Sequence, residues 1–339
     1  MAPTADKPAV MYDVARLAGV SHQTVSRVLN DRPNVREETR ERVLRAIVQL
    51  GYRPNAVARA LVTRRTRRIG VISSYSRLFG PASTLFAIEQ AARAAGYTVT
   101  VTSTEGMDGA RTRSAVSAMA DQSVDGIIVI ATSDSAARSI RGMPAVVPVV
   151  ALEAAYSADV PVASIDQELG ARLATEHLLG LGHRGVVHLA GPADFPEARQ
   201  RIDGWRSALS LAGMTEQVLL QGDWSPGAGY RAAAELATRD EVTAVFAAND
   251  QLALGLLCGL DERGIRVPED ISVVGFDDIP ESEFLVPSLT TVHQDFDEVG
   301  RRGMRILMNL IAGGDVDPAA SEPVEPRLVL RSSSAPPPC

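Results

Sequence analysis

From Ile69 onward the chain alternates short apolar runs with segments of helical pattern, and this alternation constrains its fold most strongly. The apolar runs read IGVIS, YTVTV, GIIVI, VVPVV, GVVHLA, VTAVFAA and ISVVGF. Segments of helical pattern separate most of these runs. Parallel strands need crossover connections of this kind, so the pattern predicts parallel sheets. This part of the chain has roughly 265 residues, which is more than a single hydrophobic core usually contains, so we expect two α/β lobes.

Polar residues follow several of these strand candidates, in the stretches LEAAY, GDW, AANDQ, GFDD and QDF. Ligands of such sheets bind beyond the carboxyl ends of the strands. Carboxylate, amide, guanidinium and indole groups together suit a polyhydroxylated ligand, because they bind hydroxyls and cover an apolar sugar face. Carboxylates such as Asp277 and Asp278 also keep a glycoside-cleaving enzyme open as an alternative. The chain lacks phosphate-loop and nucleophile-elbow motifs and metal-ligand spacing, which favours binding without turnover, metal or cofactor.

Near the N-terminus, VARLAGVSHQTVSRVLN predicts two short helices joined by a tight turn. Asp13 is expected to cap the first helix, Gly19 to end it and Ser21 to cap the second. At 100° per residue, Val25 and Val28 fall on the buried side of the second helix. The residues opposite them are Gln23, Ser26, Arg27 and Asn30. A polar, acid-free arc on the second of two such helices predicts a helix-turn-helix that reads the major groove.

A third helix is predicted over 37–50, with Gly51 ending it. Residues 1–68 carry 14 basic and 6 acidic residues, whereas the remainder carries 20 basic and 35 acidic ones. A basic head on an acidic body predicts that the head alone contacts a polyanion. The stretch GYRPNAVARAL then predicts a short helix capped by Asn55, which pairs with a second copy and wedges Leu61 into the minor groove. A flexible basic linker is the alternative.

Cysteine is confined to Cys258 and Cys339, and no apolar run reaches the length of a membrane span. The N-terminus lacks the pattern of a signal peptide, so we expect a cytoplasmic protein, associated with the nucleoid when it is bound to an operator. The C-terminus reads RLVLRSSSAPPPC and has no heptads, which predicts a disordered tail over 333–339 and a dimer rather than a tetramer.

Several motifs together resemble the LacI/GalR family of repressors. They are YDVARLAGVSHQTVSRVLN, GYRPNAVARAL, LGHRGVVHLAGP, ARQRIDGW, AANDQLALG, DISVVGFDD and PSLTTVHQDF, in order along most of the chain. The resemblance implies a small all-α helix-turn-helix head on an α/β two-lobed body of the type I periplasmic-binding-protein-like class. It also implies a homodimer that binds a pseudo-palindromic operator in double-stranded DNA, under the control of a small effector.

The expected domain boundaries follow from this resemblance. Residues 1–53 form the DNA-binding domain and 54–67 the hinge helix and linker. Residues 68–332 form the effector-binding domain. Its N-lobe spans about 68–164 and 296–325, and its C-lobe spans about 165–292 and 326–332.

The family's functional positions carry over where the motifs match. The implied DNA contacts are Tyr12, Ser21, His22, Gln23, Thr24, Ser26, Arg27, Asn30, Asn55 and Leu61. The implied effector contacts are Ser74, Leu78, Pro81, Glu153, Arg201, Trp224, Asn249, Asp277, Gln294 and Phe296. Glu153 stands where a close family member has aspartate, while Glu197 and Thr84 replace smaller or apolar residues beside the cleft.

These features predict a sequence-specific repressor that a small sugar releases from its operator, with a galactoside or related glycoside as the expected inducer. A purine-type corepressor that tightens DNA binding on the same fold is the first alternative. A sugar-binding enzyme or transport receptor is the second, and the DNA-reading head disfavours it.

Overall fold

A computed structural model describes residues 9–29, 33–53, 60, 65–74, 78–105, 108–131, 133–140, 146–153, 160–215, 218–239 and 241–338. The chain forms two compact units, residues 1–66 and residues 67–339. No helix in the described ranges has the length and apolar character needed to cross a bilayer.

The N-terminal unit is the predicted three-helix head. Its helices are α1 (Met11–Ala18), α2 (His22–Leu29) and α3 (Glu37–Leu50). Their apolar faces meet in one small core centred on Val14, Val25 and Val43, which are fully buried. The spacing of these valines places each on the inner side of its helix, as the sequence pattern predicts.

Local backbone signals define the ends of the head helices. Gly19 ends α1 and Gly51 ends α3, both in the left-handed region at φ 63° and 58°. Ser21 Oγ accepts a 3.2 Å hydrogen bond from the Thr24 amide, which confirms the predicted cap of α2. The predicted cap of α1 is wrong. The helix begins earlier, after Val10, and the Asp13 carboxylate reaches back from the first turn to accept a 3.1 Å hydrogen bond from the Val10 amide.

The first sheet of the body is parallel throughout, in the order β2-β1-β3-β4-β5. Its strands are β1 (Arg68–Ser74), β2 (Thr98–Thr104), β3 (Gly126–Ile130), β4 (Val149–Leu152) and β5 (Val162–Ala163). The intervening helices are α4 (Phe79–Ala94), α5 (Gly109–Asp121) and α6 (Asp134–Ile140). Separate apolar cores cover the two faces of this sheet, so its central strands β3 and β4 are buried throughout.

The second sheet has the order β7-β6-β8-β9-β10-β11, with only β11 antiparallel to its neighbour. Its strands are β6 (Val187–Ala190), β7 (Leu219–Gln221), β8 (Ala244–Ala247), β9 (Ser272–Asp277), β10 (Thr290–His293) and β11 (Arg327–Val329). Its helices are α7 (Gln167–Gly180), α8 (Pro196–Leu211), α9 (Pro226–Leu236) and α10 (Asp250–Asp261), followed by a 3₁₀ turn at Pro280–Phe284. Two sheets of this kind confirm the predicted pair of α/β lobes.

The chain returns to the first lobe near its C-terminus. After β10, helix α11 (Phe296–Ile311) packs against the first sheet through Val299 and Leu307. A short helix α12 (Pro318–Ser321) follows, and β11 then joins the second sheet. Each lobe therefore contains segments that are distant in sequence.

The prediction of a disordered tail over 333–339 is wrong for residues 333–338, which the structure places along the second sheet. Ser333 is fully buried, and its hydroxyl donates a 2.6 Å hydrogen bond to the Val273 carbonyl while accepting a 2.8 Å bond from the Thr290 amide. Ala335 exchanges hydrogen bonds with the Ser272 hydroxyl. The serines of this segment supply hydrogen bonds to the strands, so a composition typical of disorder has an ordered role.

Candidate functional site

The head presents the predicted DNA-contacting arc on its outer surface. Ser21, His22, Gln23 and Arg27 are exposed, and Thr24 and Ser26 are partly exposed. On the opposite side of α2, Val25 and Val28 are buried against the other head helices. Tyr12, on α1, is 69% exposed. Asn30, Asn55 and Leu61 lie outside the described residues.

A cavity with about 570 Å³ of free space, part of it open to solvent, lies between the two lobes of the body. Nine of the ten residues implied as effector contacts line it, and they are Leu78, Pro81, Glu153, Arg201, Trp224, Asn249, Asp277, Gln294 and Phe296. Most of them come at or just after the carboxyl end of a strand, as expected for parallel sheets. Ser74 ends β1 but does not line the cavity.

Four polar side chains in the cavity wall form a closed ring. Arg201 Nε donates a 2.9 Å hydrogen bond to Gln167 Oε1, and Gln167 Nε2 donates a 2.7 Å bond to Gln294 Oε1. Gln294 Nε2 donates a 2.6 Å bond to Asp277 Oδ1, and Arg201 Nη2 lies 3.8 Å from that same oxygen. All four residues are buried. The ring therefore holds the charged groups of Arg201 and Asp277 in fixed positions.

The guanidinium of Arg201 is further fixed by its surroundings. Its carbon lies 3.9 Å from the centre of the Phe276 ring and 5.5 Å from the centre of the Trp224 ring. Nη1 donates to the carbonyl of Ala248. Burial lowers the pKa of Arg201 and the charge of Asp277 opposes that change. Contact with two aromatic rings, a hydrogen bond to a carbonyl and a nearby carboxylate thus compensate the buried guanidinium for its loss of hydration.

Trp224 forms an apolar wall of the cavity. It is only 5% exposed and lies edge-on to Phe195, with ring centres 5.8 Å apart. Asn249 fixes the backbone of Trp224, because its Nδ2 donates a 3.3 Å hydrogen bond to the Trp224 carbonyl. Its Oδ1 accepts a hydrogen bond from the Leu252 amide and so caps α10. Among the described residues, the buried indole Nε1 has no hydrogen-bond partner.

The carboxyl groups of the cavity have raised pKa values. Burial raises the pKa of Asp277 to about 7, against the opposing charge of Arg201. Burial raises the pKa of Glu197 to about 8, and the charge of Glu153 adds to that rise. Burial also raises the pKa of Glu153, although the hydroxyl of Thr84, which donates to it, acts in the opposite direction. The cavity therefore contains acids that change charge near neutral pH.

Three cavity residues have backbones in the left-handed region that favours glycine. These are Glu153 at φ 60°, Trp224 at φ 68° and Asp277 at φ 113°. Each costs of order 1 kcal/mol or more for a residue with a side chain. Such strain concentrates at functional sites, where it places a side chain that a relaxed turn would direct elsewhere.

Sequence reasoning missed one member of the ring, Gln167. It is the first residue of α7, directly after the cap Asp166, and its position alone suggests only a helix start. Its partner Gln294 lies 127 residues further along the chain. The neighbouring lining residues that were also not predicted as contacts are Phe79, Gly80, Ser164, Ile165, Glu197 and Gln200.

Comparison with known proteins explains why head and cavity occur in one chain. A family model described as "Bacterial regulatory proteins, lacI family" matches residues 10–55, and one described as "Periplasmic binding protein-like domain" matches residues 175–334. The chain is 38% identical to the lactose operon repressor of Escherichia coli over 311 residues, which cover 91% of this chain and 86% of that protein. The chain belongs to the LacI family. It is thus a DNA-binding transcriptional repressor of that family, related to proteins that are named as repressors rather than enzymes.

The chain is also similar to a second named repressor and to regulators whose structures are solved. The HTH-type transcriptional repressor PurR of Haemophilus influenzae is 35% identical over 333 residues, covering 96% of this chain and 98% of that protein. The structure of the lac repressor dimer bound to operator and the anti-inducer ONPF matches with a TM-score of 0.86 at 35% identity, covering 97% of this chain and all of that one. A complex of the transcriptional regulator CelR with cellobiose matches with a TM-score of 0.68 at 34% identity, covering 96% and 99%.

Proposed function

We propose that this repressor is released from its operator when a small sugar binds in the cavity between the two lobes. A galactoside or related glycoside is the expected class of inducer. The ring of Arg201, Gln167, Gln294 and Asp277 carries this proposal, because it presents fixed donors and acceptors to hydroxyl groups. The indole of Trp224 supplies an apolar surface for the sugar ring.

We propose that the repressor acts as a dimer. Two heads place two recognition helices in successive major grooves of a pseudo-palindrome, with Gln23 and Arg27 reading base edges. The paired hinge segments, which include Leu61, are expected to enter the minor groove. The lac repressor dimer on its operator, which this chain resembles over its full length, supports this arrangement. Light scattering at micromolar protein tests it, and a stable tetramer would contradict it.

Sugar and operator are coupled through the conformation of the body. The sugar must bind the DNA-incompetent arrangement of the lobes more tightly than the competent one, and the coupling is reciprocal. A coupling of about 1–3 kcal/mol weakens operator binding roughly 5- to 150-fold at saturation. Fluorescence anisotropy of labelled operator, titrated with protein at fixed sugar, measures this factor directly.

A purine corepressor is the second candidate, and the similarity to PurR of Haemophilus influenzae favours it. The two candidates differ in the sign of the response. A sugar inducer lowers operator affinity, whereas a corepressor raises it. Titrating glycosides and purine bases into one preformed complex therefore distinguishes them. An operator affinity that no member of either panel changes would overturn the regulatory role of the cavity, and turnover of a bound sugar would show an enzyme.

A further inference from the structure

Asp277, whose carboxylate belongs to the polar ring of the cavity, lies in a strained turn. It ends β9 at φ 113°, and Asp278 follows it at φ 56°. Residues with side chains seldom adopt this left-handed region, and such strain persists only where the surrounding structure over-determines the backbone. The contacts that hold this turn therefore decide where the Asp277 carboxylate lies.

The carboxylate of Asp250 holds the chain directly after the turn. Asp250 is the first residue of α10 and is fully buried. Its Oδ2 accepts hydrogen bonds from the Ile279 amide at 2.9 Å and from the Ser282 hydroxyl at 2.6 Å. Its Oδ1 accepts a 2.6 Å hydrogen bond from the Thr291 hydroxyl on β10. One carboxylate thus joins α10, the segment after the turn and the neighbouring strand.

The neighbouring strand β9 leaves room for the Asp250 carboxylate at Gly275. A Cβ placed on Gly275 would lie 2.2 Å from Asp250 Oδ1. Burial raises the pKa of Asp250 to about 6, and the three hydrogen bonds that the carboxylate accepts oppose that rise. Asp250 is therefore mainly charged at pH 7.5, and its hydrogen bonds are of the strong, charge-assisted kind.

Arg331 holds the turn through its second residue, Asp278. The Nη2 of Arg331 donates a 2.7 Å hydrogen bond to Asp278 Oδ1, and Nη1 donates a 2.8 Å hydrogen bond to the Leu289 carbonyl. The other carboxylate oxygen of Asp278 lies 3.0 Å from His293 Nδ1. The side chains of Asp278 and Arg331 are only 14% and 18% exposed. A residue of the segment after β11 thus fixes the strained turn.

Neither Asp250 nor Arg331 is among the described residues that line the cavity. Asp250 acts through the backbone of Ile279, two residues after Asp277, and Arg331 acts through the carboxylate of Asp278. The polar ring fixes the side chain of Asp277 from the cavity side. The backbone of the turn is thus held from outside the cavity.

We propose that Asp250 and Arg331 are positioning residues for effector binding, because they keep the turn in the form that presents the Asp277 carboxylate to a bound ligand. This proposal rests on the proposed effector role of the cavity and applies equally to a sugar and to a purine. Loss of either contact lets the turn relax towards ordinary backbone angles and moves the carboxylate. Effector affinity then falls although every lining residue is unchanged.

Calorimetry on the full-length protein at pH 7.5 tests the proposal. Methyl galactoside, methyl glucoside, cellobiose, adenine and hypoxanthine are titrated into the wild-type protein, and the tightest binder becomes the probe. Arg331→Met removes both side-chain hydrogen bonds of Arg331 but keeps a long unbranched side chain. It should weaken probe binding about tenfold or more, the value of one hydrogen bond to a charged group. Arg184→Met, at an exposed arginine of the same lobe, should leave the affinity unchanged.

A graded pair of variants tests Asp250. Asp250→Ala removes all three hydrogen bonds and should also weaken probe binding about tenfold or more. Asp250→Asn should recover much of that loss, because its carbonyl oxygen still accepts from the Ile279 amide and its NH₂ donates to the Thr291 hydroxyl. Asp261→Ala, at the exposed end of the same helix, is the control. If Asp250→Ala does not fold, Asp250→Asn and Arg331→Met are the deciding variants.

A double-mutant cycle separates positioning from general destabilisation. In an Asp277→Ala background, Arg331→Met should change probe affinity less than about twofold, because no carboxylate remains to be positioned. A substitution that merely loosens the lobe would weaken binding by the same factor in both backgrounds. Ligand-observed NMR at millimolar probe extends the measurement to weak binders, and urea unfolding shows that each variant is folded at the assay temperature.

Hydrogen exchange provides a readout that needs no ligand. The Ile279 amide is bonded to a buried carboxylate, so peptides that cover 277–282 should exchange slowly in the wild-type protein. They should exchange faster in Arg331→Met and in Asp250→Ala, while peptides over β6 keep their protection. Unchanged exchange in both variants would show that these contacts do not hold the turn and would overturn the proposal.

The remaining contrary outcomes are distinct. Folded Arg331→Met and Asp250 variants that bind the probe as tightly as the wild-type protein would overturn the positioning roles while the effector cavity stands. Equal losses in the two backgrounds of the cycle would have the same consequence. If no compound of the panel binds the wild-type protein or changes its operator affinity, the proposed function fails and the positioning roles fail with it.

Discussion

Gly191 lies directly against the indole of Trp224. A Cβ placed on Gly191 would overlap the six-membered ring at Cη2, Cζ2 and Cζ3. Gly191 follows β6, and Trp224 follows the neighbouring strand β7, so the two meet at the carboxyl edge of the second sheet. Because Gly191 has no side chain, the indole of Trp224 can lie against it and form a wall of the cavity.

Gly191→Ala should displace the indole and weaken sugar binding. Overpacking of this kind costs about 1–3 kcal/mol, which corresponds to roughly 5- to 150-fold in affinity if it falls on the bound state. Operator binding without sugar should persist, because the head is a separate compact unit. Calorimetry and operator anisotropy measure the two effects. Gly180→Ala is the matched control, since nothing lies within 4 Å of its Cβ position, and equal losses in both variants would contradict the prediction.

Gln167→Leu should open the polar ring and destabilise the body. The change leaves Arg201 Nε without its acceptor and Gln294 without its donor, both of them buried. Unsatisfied buried groups cost about 1–3 kcal/mol each, so we expect a loss of about 3 kcal/mol and a fall in Tm of roughly 5 °C. Gln122→Leu, at an exposed site, provides the control. In a double-mutant cycle with Gln294→Leu the effects should be non-additive, and simple additivity would show that the ring does not act as a unit.

Glu197→Gln should stabilise the ligand-free protein, and more so as pH rises. The folded-state pKa of Glu197, about 8, lies above its ordinary value of 4.5. The folded state therefore binds this proton more tightly than the unfolded state, and stability falls as pH rises between these two values, with the loss complete above about 8. Thermal unfolding should show similar Tm values at pH 5 and a higher Tm for the variant at pH 9. A difference that does not depend on pH would contradict this account, and Glu269→Gln serves as the control.

Arg27→Ala should weaken and broaden DNA recognition. Arg27 is exposed on the outer face of α2, where a bidentate contact to guanine is worth about 1–3 kcal/mol. Selection from a random duplex pool should show relaxed preference at one base pair per half-site. Operator affinity of the wild-type protein should fall steeply with salt, as phosphate contacts require. Arg239→Ala, on the body, should change neither property. An unaltered base preference in Arg27→Ala would show that Arg27 does not read a base.

Ser333→Ala should destabilise the second lobe. The substitution removes the acceptor of the Thr290 amide and the donor to the Val273 carbonyl, and both are buried. We expect a loss of about 1–3 kcal/mol in the free energy of unfolding, measured by urea denaturation. Removal of residues 332–339 should cost more, because the hydrogen bonds of Ala335 are lost as well. Ser332→Ala is the matched control at an exposed serine, and an equal effect there would argue against a structural tail.

The head was predictable from sequence because its signals are local. The predicted limits of α3 match the structure, and Gly19, Gly51 and Ser21 perform their expected roles at helix ends. Such roles depend only on the backbone angles and amides of the same turn. The first cap was placed wrongly because an aspartate accepts amide hydrogen bonds both at the cap and in the first turn, and spacing alone does not separate these positions.

The cavity was predictable only in part. The alternating pattern predicts polar groups beyond the strand ends, and the family resemblance selects nine residues that the structure brings to one cavity. Ser74 belongs to the same motif set but does not line that space. Gln167 had no signal in sequence, because its significance depends on which distant groups lie beside it.

The sequence by itself determined the helices of the head, the alternation of strands and helices and the residue types available at strand ends. These features depend on backbone preferences and on periodic burial within a few residues. Only the tertiary structure decided that four side chains close a ring, that Gly191 leaves room for Trp224 and that a serine-rich tail hydrogen-bonds to the second sheet. Hydrogen bonding, overlap and burial between residues 30 to 130 positions apart arise when the chain packs, so no local pattern specifies them.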